Sequence, residues 1–154
     1  PEFHARYSAI GKTYVYRIVN AQVVSPFWSR YVHQEARKLD LDRMRSAAEL
    51  FLGRHDWTAF SAAQSDVGDR VRTITGLDIC ENNDPRGATP IIEIRATADG
   101  FLRYMVRTIA GTLMAAGRNE VETPAIRDAI ETGQRPLAAT TAPACGLTLV
   151  AVRY

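Results

Sequence analysis

Residues 7–20 constrain the fold more than any other part of the sequence. Read in steps of two, they put Tyr14, Tyr16 and Ile18 on one face and Val15, Arg17 and Val19 on the other. A period of two belongs to a strand. The same region is dense in basic and aromatic residues: Phe3, His4, Ala5, Arg6 and Tyr7 run almost directly into Lys12-Thr13-Tyr14-Val15-Tyr16-Arg17-Ile18. Arg and Lys meet phosphates and aromatic rings stack on splayed bases, so such a strand suits RNA. A working protein rarely begins inside its own binding strand. The chain is therefore expected to be part of something larger, with the missing part contributing to the chemistry.

The rest of the sequence reads as an α+β order. After a loop at Pro26, Asp40 is a plausible N-cap for a helix over 41–52, where Leu41, Met44, Ala48 and Phe51 form one stripe and Gly53 ends it. Two strands over 71–81 and 91–98 flank the turn cluster Asn82-Asn83-Asp84-Pro85-Arg86-Gly87. A helix over 101–116 stops at Gly117, a shorter one over 124–131 has Pro124 in its first turn, and a last strand covers 147–152. Antiparallel strands covered on one face by helices fit this order. With 154 residues the chain fits a single domain, 1–154.

Charge distribution says more than total charge. The net charge is only +2. Within residues 1–38, however, six basic residues (Arg6, Lys12, Arg17, Arg30, Arg37, Lys38) face two acids (Glu2, Glu35). The basic residues are almost all arginine, which suits bidentate phosphate contact and stacking. A GC-rich genome explains the same bias equally well. No apolar run approaches the roughly 18 residues that span a bilayer. Cys80 and Cys145 make no metal-type spacing, and a reducing cytoplasm is the expected compartment. His4, His33 and His55 are scattered, with no triad-like context. Trp57 and Phe60 are expected to anchor a turn in the core.

The segment Phe-Leu-Arg-Tyr-Met-Val-Arg-Thr-Ile-Ala-Gly carries an apolar stripe of Leu102, Met105, Val106, Ile109 and Leu113, with Arg103 and Arg107 four apart on the other side. Taken alone, it is a helix with two arginines on a solvated face.

Five stretches in order, Phe-His-Ala-Arg-Tyr-Ser-Ala, Thr-Tyr-Val-Tyr-Arg-Ile, His-Asp-Trp-Thr-Ala-Phe, the Arg103–Arg107 segment and Thr-Ala-Pro-Ala-Cys-Gly-Leu-Thr-Leu-Val-Ala-Val, together resemble the C-terminal half of the tRNA pseudouridine synthase A family. The resemblance implies half of the pseudouridine synthase fold, in which two α/β halves join into one extended sheet around a cleft. It also implies isomerisation of uridine to pseudouridine at positions 38–40 of the tRNA anticodon arm, with no cofactor and no metal, by a homodimer. In that family an aspartate in an RTDAGVHA-like motif attacks the flipped-out nucleotide, and the base detaches, rotates and rejoins through carbon. The motif is absent here, and Asp66, Asp69 and Asp99 do not follow an Arg-Thr pair, so the nucleophile is expected in the missing N-terminal half.

By the same resemblance, Tyr14 stacks on the target uracil, Arg107 pairs with the catalytic aspartate, and Phe3, His4, Ala5, Arg6 and Tyr7 contact tRNA. Gln64, Ser65, Asp66, Val67 and Gly68 match a second tRNA-contacting loop, made unusually acidic here by Asp66 and Asp69. Gln22 stands where some relatives carry a basic residue. Two rival readings remain at this stage. A non-catalytic RNA-binding module of ferredoxin-like type would need a Lys/Arg-Gly-Phe/Tyr sequence, which is absent. A small-ligand regulatory domain would need a Gly-rich or acidic ligand loop, and none is evident.

Overall fold

A computed structural model describes residues 3–63, 68–87, 89–136 and 138–154. Its centre is β1 (Gly11–Val19), the strand that the two-residue period marks. Strand β1 pairs antiparallel with β5 (Ile91–Ala98) on one side. On its other side it pairs antiparallel with β6 (Leu147–Arg153) and, at its far end, parallel with the two-residue β2 (His33–Gln34). Strand β5 continues to β4 (Val71–Asn82) and β4 to the short β3 (Gly53–Asp56), both antiparallel. The order β2-β1-β5-β4-β3, with β6 also on β1, makes a mixed six-stranded sheet. The parallel β2 contact is thus an exception to the all-antiparallel expectation.

Helices α1 (Leu41–Ala48), α2 (Met105–Gly117) and α3 (Thr123–Thr132) bring their apolar residues to the main core. Tyr16 and Ile18 of β1 and Ile92, Ile94, Ala96 and Ala98 of β5 meet them there. On β4 the phase changes, since Ile74 and Leu77 are three apart yet both belong to this core. An irregularity between Ile74 and Gly76 in the β4–β5 register explains it, because one extra residue shifts which side chains face inward. Burying a side chain such as Phe51, Ile94 or Leu113, each essentially inaccessible, contributes roughly 1.5–3 kcal/mol. A second, smaller cluster of Val19, Val32 and Ile91, backed by Ala21, Val24 and Trp28, gathers around the β1–β2 connection.

Several element boundaries move. Residues 5–8 form a turn, and the first strand begins at Gly11 rather than at Tyr7. Asp40 caps α1 as expected, its Oδ1 accepting from the Asp42 and Arg43 amides at 3.0 and 3.1 Å. The α-helix stops at Ala48, and Phe51 sits in a following 3-10 turn. Gly53, read as a helix stop, instead opens β3 with φ +97°. Helix α2 starts at Met105, not Phe101, because Tyr104 adopts the left-handed conformation at φ 66°. Within α2, Gly111 lies so close to the chain at Thr140 that an added Cβ would sit 1.8 Å from the Thr140 carbonyl oxygen.

Candidate active site and nucleic-acid interface

Helix α2 has no solvated face. Twelve of its residues are buried, and Arg107 is the one that is not. A helix apolar all round belongs in the core, so a guanidinium at its single open position is placed there by the packing of everything around it. The Arg107 Nε donates to the Ala142 carbonyl at 2.7 Å, and the Arg107 carbonyl accepts from the Ala142 amide at 3.0 Å. Its guanidinium carbon lies 5.0 Å from the centre of the Tyr104 ring. Arg103, outside the helix and exposed, lies 4.9 Å from the same ring and donates to the Tyr104 hydroxyl at 3.2 Å. Two arginines on a solvated helix face is therefore not the arrangement found.

Tyr14 sits where β1 pairs with Ala96 of β5 and Leu149 of β6. It is half-buried, and its ring meets Phe101 edge-on at 5.3 Å between centroids. Phe101 begins the turn that leads through Tyr104 into α2, the helix that carries Arg107. Tyr16, two residues on, is the fully buried tyrosine of this strand. Its hydroxyl donates to the Pro143 carbonyl at 2.8 Å, and burial pushes its phenol well above the usual tyrosine range. Tyr16 thus ties β1 to the segment that also anchors Arg107, while Tyr14 keeps partial access to solvent.

Phe3, His4, Ala5, Arg6 and Tyr7 are all exposed. They form a compact turn in which His4 Nδ1 accepts from the Arg6 and Tyr7 amides at 3.2 and 3.3 Å. Tyr154 fastens it to the end of β6: its hydroxyl donates to the Ala5 carbonyl at 3.1 Å, and its ring meets Phe3 at 4.9 Å. The Arg6 guanidinium lies over the Tyr7 ring and has no carboxylate partner among the described residues. Of the second expected contact loop, Gln64, Ser65, Asp66 and Val67 lie outside the described residues, and Gly68 is exposed.

The flanks of that loop border a cleft of about 960 Å³. Arg70, Arg103 and Arg135 line it together with Tyr104, and no Asp or Glu does among the described residues. Arg135 is held by Nε to the Ala59 carbonyl at 2.6 Å and by Nη2 to the Ser61 carbonyl at 3.1 Å. Burial lowers its pKa from the usual arginine value. Arg70 donates to Ser61 Oγ at 3.3 Å and to the Ala63 carbonyl at 3.1 Å. Neither Arg135 nor Tyr104 had a sequence signal. Their roles depend on carbonyls some 75 residues away and on a backbone turn that no local pattern announces.

The described acids near this region are already engaged. Asp69 Oδ1 accepts from the Val71 amide at 2.8 Å, and Asp99 Oδ1 from the Thr73 amide at 3.0 Å. Asp56 accepts from both the amide and the hydroxyl of Thr58, which holds its carboxyl below the usual range. Among the described residues no group of three His, Cys, Asp or Glu side chains is placed to hold a metal. His4 and His55 are spent on local turn contacts, and Trp57 and Phe60 are buried core residues as expected.

The described residues thus hold a half-open arginine on a core helix, a half-buried tyrosine on the central strand and a cleft lined by arginines. A family model described as tRNA pseudouridine synthase matches residues 47–154, and the chain belongs to that family. It is 42% identical over 153 residues to tRNA pseudouridine synthase A of Acetivibrio thermocellus, covering 99% of this chain and 60% of that relative. It is 39% identical over 152 residues to tRNA pseudouridine synthase A of Bacillus subtilis, with coverage of 99% and 59%. It is 38% identical over 153 residues to tRNA pseudouridine synthase A 2 of Clostridium tetani, again with 99% and 59%. The chain spans about 60% of the length of the curated relatives it matches.

Proposed function

We propose that this chain, as a single domain over 1–154, is the C-terminal portion of a tRNA pseudouridine synthase A that isomerises uridine at positions 38–40 of the tRNA anticodon arm. The observation that carries this reading is Arg107. It is the one residue of α2 that is not buried. Its Nε is committed to Ala142, and it has no carboxylate partner among the described residues. A fixed guanidinium with terminal N–H groups to spare is the complement of a carboxylate supplied from elsewhere. Beside such a cation a carboxyl group stays ionised, its pKa lowered by roughly 1–3 units.

In this reading the nucleophilic aspartate belongs to the portion of the enzyme beyond this chain. It attacks the ribose carbon of the flipped-out nucleotide and the bond to N1 of the base breaks. Tyr14 offers the detached base a stacking surface, C5 then bonds to the same carbon and displaces the aspartate, and the C5 proton is released while N1 takes one up. Arg6 and its neighbours Phe3, His4, Ala5 and Tyr7 hold tRNA, together with the segment from Gln64 to Gly68. Strand β6 supports a junction with the remaining portion, since among the described residues it pairs only with β1 and leaves Leu149 and Val150 about half exposed. Among the described residues no helix is long and apolar enough to cross a membrane. By its kinship with a tRNA-modifying family, we place the enzyme in the cytoplasm as a homodimer.

Tritium release from C5-labelled tRNA tests the proposal. The complete enzyme should release tritium stoichiometrically with pseudouridine, and this chain alone should release none. Release by the chain alone would refute the assignment of the nucleophile to the other portion, and no release by the complete enzyme would refute the activity.

A further inference from the structure

We propose that the cleft in front of α2 is a subsite for the phosphodiester backbone of one RNA strand, with Arg70 and Arg103 as its phosphate contacts and Tyr104 as a stacking surface. The inference rests on the reading above that the enzyme acts on tRNA, and it assigns residues which that reading leaves idle. Three guanidiniums line the cleft, and every hydrogen bond they make among the described residues goes to a neutral acceptor. Arg135 donates to two carbonyls and to Thr141 Oγ1, Arg70 to Ser61 Oγ and the Ala63 carbonyl, and Arg103 to the Tyr104 hydroxyl. Neutral acceptors orient a guanidinium without cancelling its charge. The field in the cleft therefore stays positive and selects an anion.

Size and lining point to a strand of nucleic acid. A volume of about 960 Å³ lies at the top of the range of roughly 300–1,000 Å³ for ligand pockets, more than a single phosphate ion fills. The one aromatic ring in the wall, Tyr104, is 41% exposed. A basic groove with an accessible ring is the way proteins hold single strands, the backbone on the cations and a base on the ring. Tyr104 also sits at φ 66°, a conformation that disfavours a bulky side chain, and such outliers cluster at functional sites. Arg135, locked from behind, supplies charge, while Arg70 and Arg103 keep N–H groups to offer.

The test is the salt dependence of binding of an anticodon stem-loop RNA to the complete synthase. Arg70→Gln and Arg103→Gln should each flatten the slope of log K against log salt by about 0.7–0.9, one phosphate contact apiece. Tyr104→Ala should weaken binding roughly 5- to 150-fold, the range for one stacked base, whereas Tyr104→Phe, which keeps the ring and loses only the hydroxyl that Arg103 donates to, should weaken it less than about 5-fold. Arg43→Gln, on α1 and bonded to Asn119, is the control and should change nothing. Unchanged slopes in folded Arg70 and Arg103 variants, with wild-type turnover intact, would overturn the subsite and leave the proposed activity standing. Saturable binding of inorganic phosphate that the two variants abolish without altering RNA binding would overturn it as well. Failure of the wild type to bind RNA or to form pseudouridine would overturn the underlying reading.

Discussion

The two ends of α2 use arginine in opposite ways. Past its C-terminus, Arg118, its side chain 9% exposed, pairs with Glu35 at 2.8 Å and Glu120 at 2.7 Å, and Arg37 joins the same two acids. Hydrogen bonds from Arg37 and the charge of Arg118 outweigh the burial of Glu35 and hold its carboxyl below the usual range. At the N-terminal end, Arg103 and Arg107 share a tyrosine ring and reach no acid among the described residues. The first cluster is electrically closed and staples β2 to the helix. The second carries no acid among the described residues, and in the proposed reading its partner comes from outside this chain. What a guanidinium does here is decided by whether a carboxylate is folded in beside it.

The open end should show in catalysis and the closed end in stability. Arg107→Ala in the complete enzyme should lower kcat on the order of 10²–10³-fold, the cost of losing one fixed electrostatic partner, while tRNA affinity by filter binding stays near wild type. An equal loss of affinity would put Arg107 on phosphate instead. Glu35→Ala should cost about 2 kcal/mol, because Arg118 and Arg37 lose their charge-assisted bonds to it and keep only Glu120, and urea denaturation would measure it. Since the folded carboxyl of Glu35 titrates below the ordinary value of 4.5, its stabilisation is present above that pH and fades as pH falls through the folded pKa. The Ala variant should lack that acid limb.

Two smaller effects sharpen the contrast. Tyr16→Phe removes one hydrogen bond to Pro143 and should cost about 1 kcal/mol. Because burial raises the phenol's pKa above the ordinary 10.0, wild-type stability should fall as pH rises beyond about 10, and thermal melts of the Phe variant should lose that dependence. Arg6→Ala should leave kcat and stability alone and flatten the salt slope of tRNA binding by about one phosphate. If Arg6 and Arg107 gave the same pattern of rate and affinity, the division between phosphate contact and catalytic partner would fail.

Much of this was legible in the sequence where the signal is local. The alternation in β1, the span of β5, the Asp40 cap and Pro124 in the first turn of α3 all appear as read. The start of α2 was misread because Phe101 and Leu102 have helical spacing, and only the left-handed Tyr104 breaks it. Strand β2 is two residues long and exists only through its pairing with Ile18 and Val19, so no period could mark it. Tyr14 and Arg107 are proposed as site residues on resemblance. Nothing local told Tyr14 from Tyr16, and the difference is that Tyr16 is sealed under Pro143 while Tyr14 meets only Phe101 edge-on. Arg135 carried no signal, because its partners Ala59 and Ser61 are neighbours only in space.

The central strand also sets a timetable. Gly11 pairs with Arg153, and Lys12 with both Ala98 and Val152, so β1 is made well before the two strands that flank it. Closing contacts this distant in sequence is slow, and until they close a strand rich in tyrosine, valine and isoleucine waits unpaired. Helix α1 and the β3–β4 pair can form while synthesis continues, but the sheet that carries Tyr14 cannot be completed until β6 has left the exit tunnel. The protein should therefore depend on chaperones during synthesis more than its size suggests, and a nascent chain stalled before β6 should stay open to protease across β1.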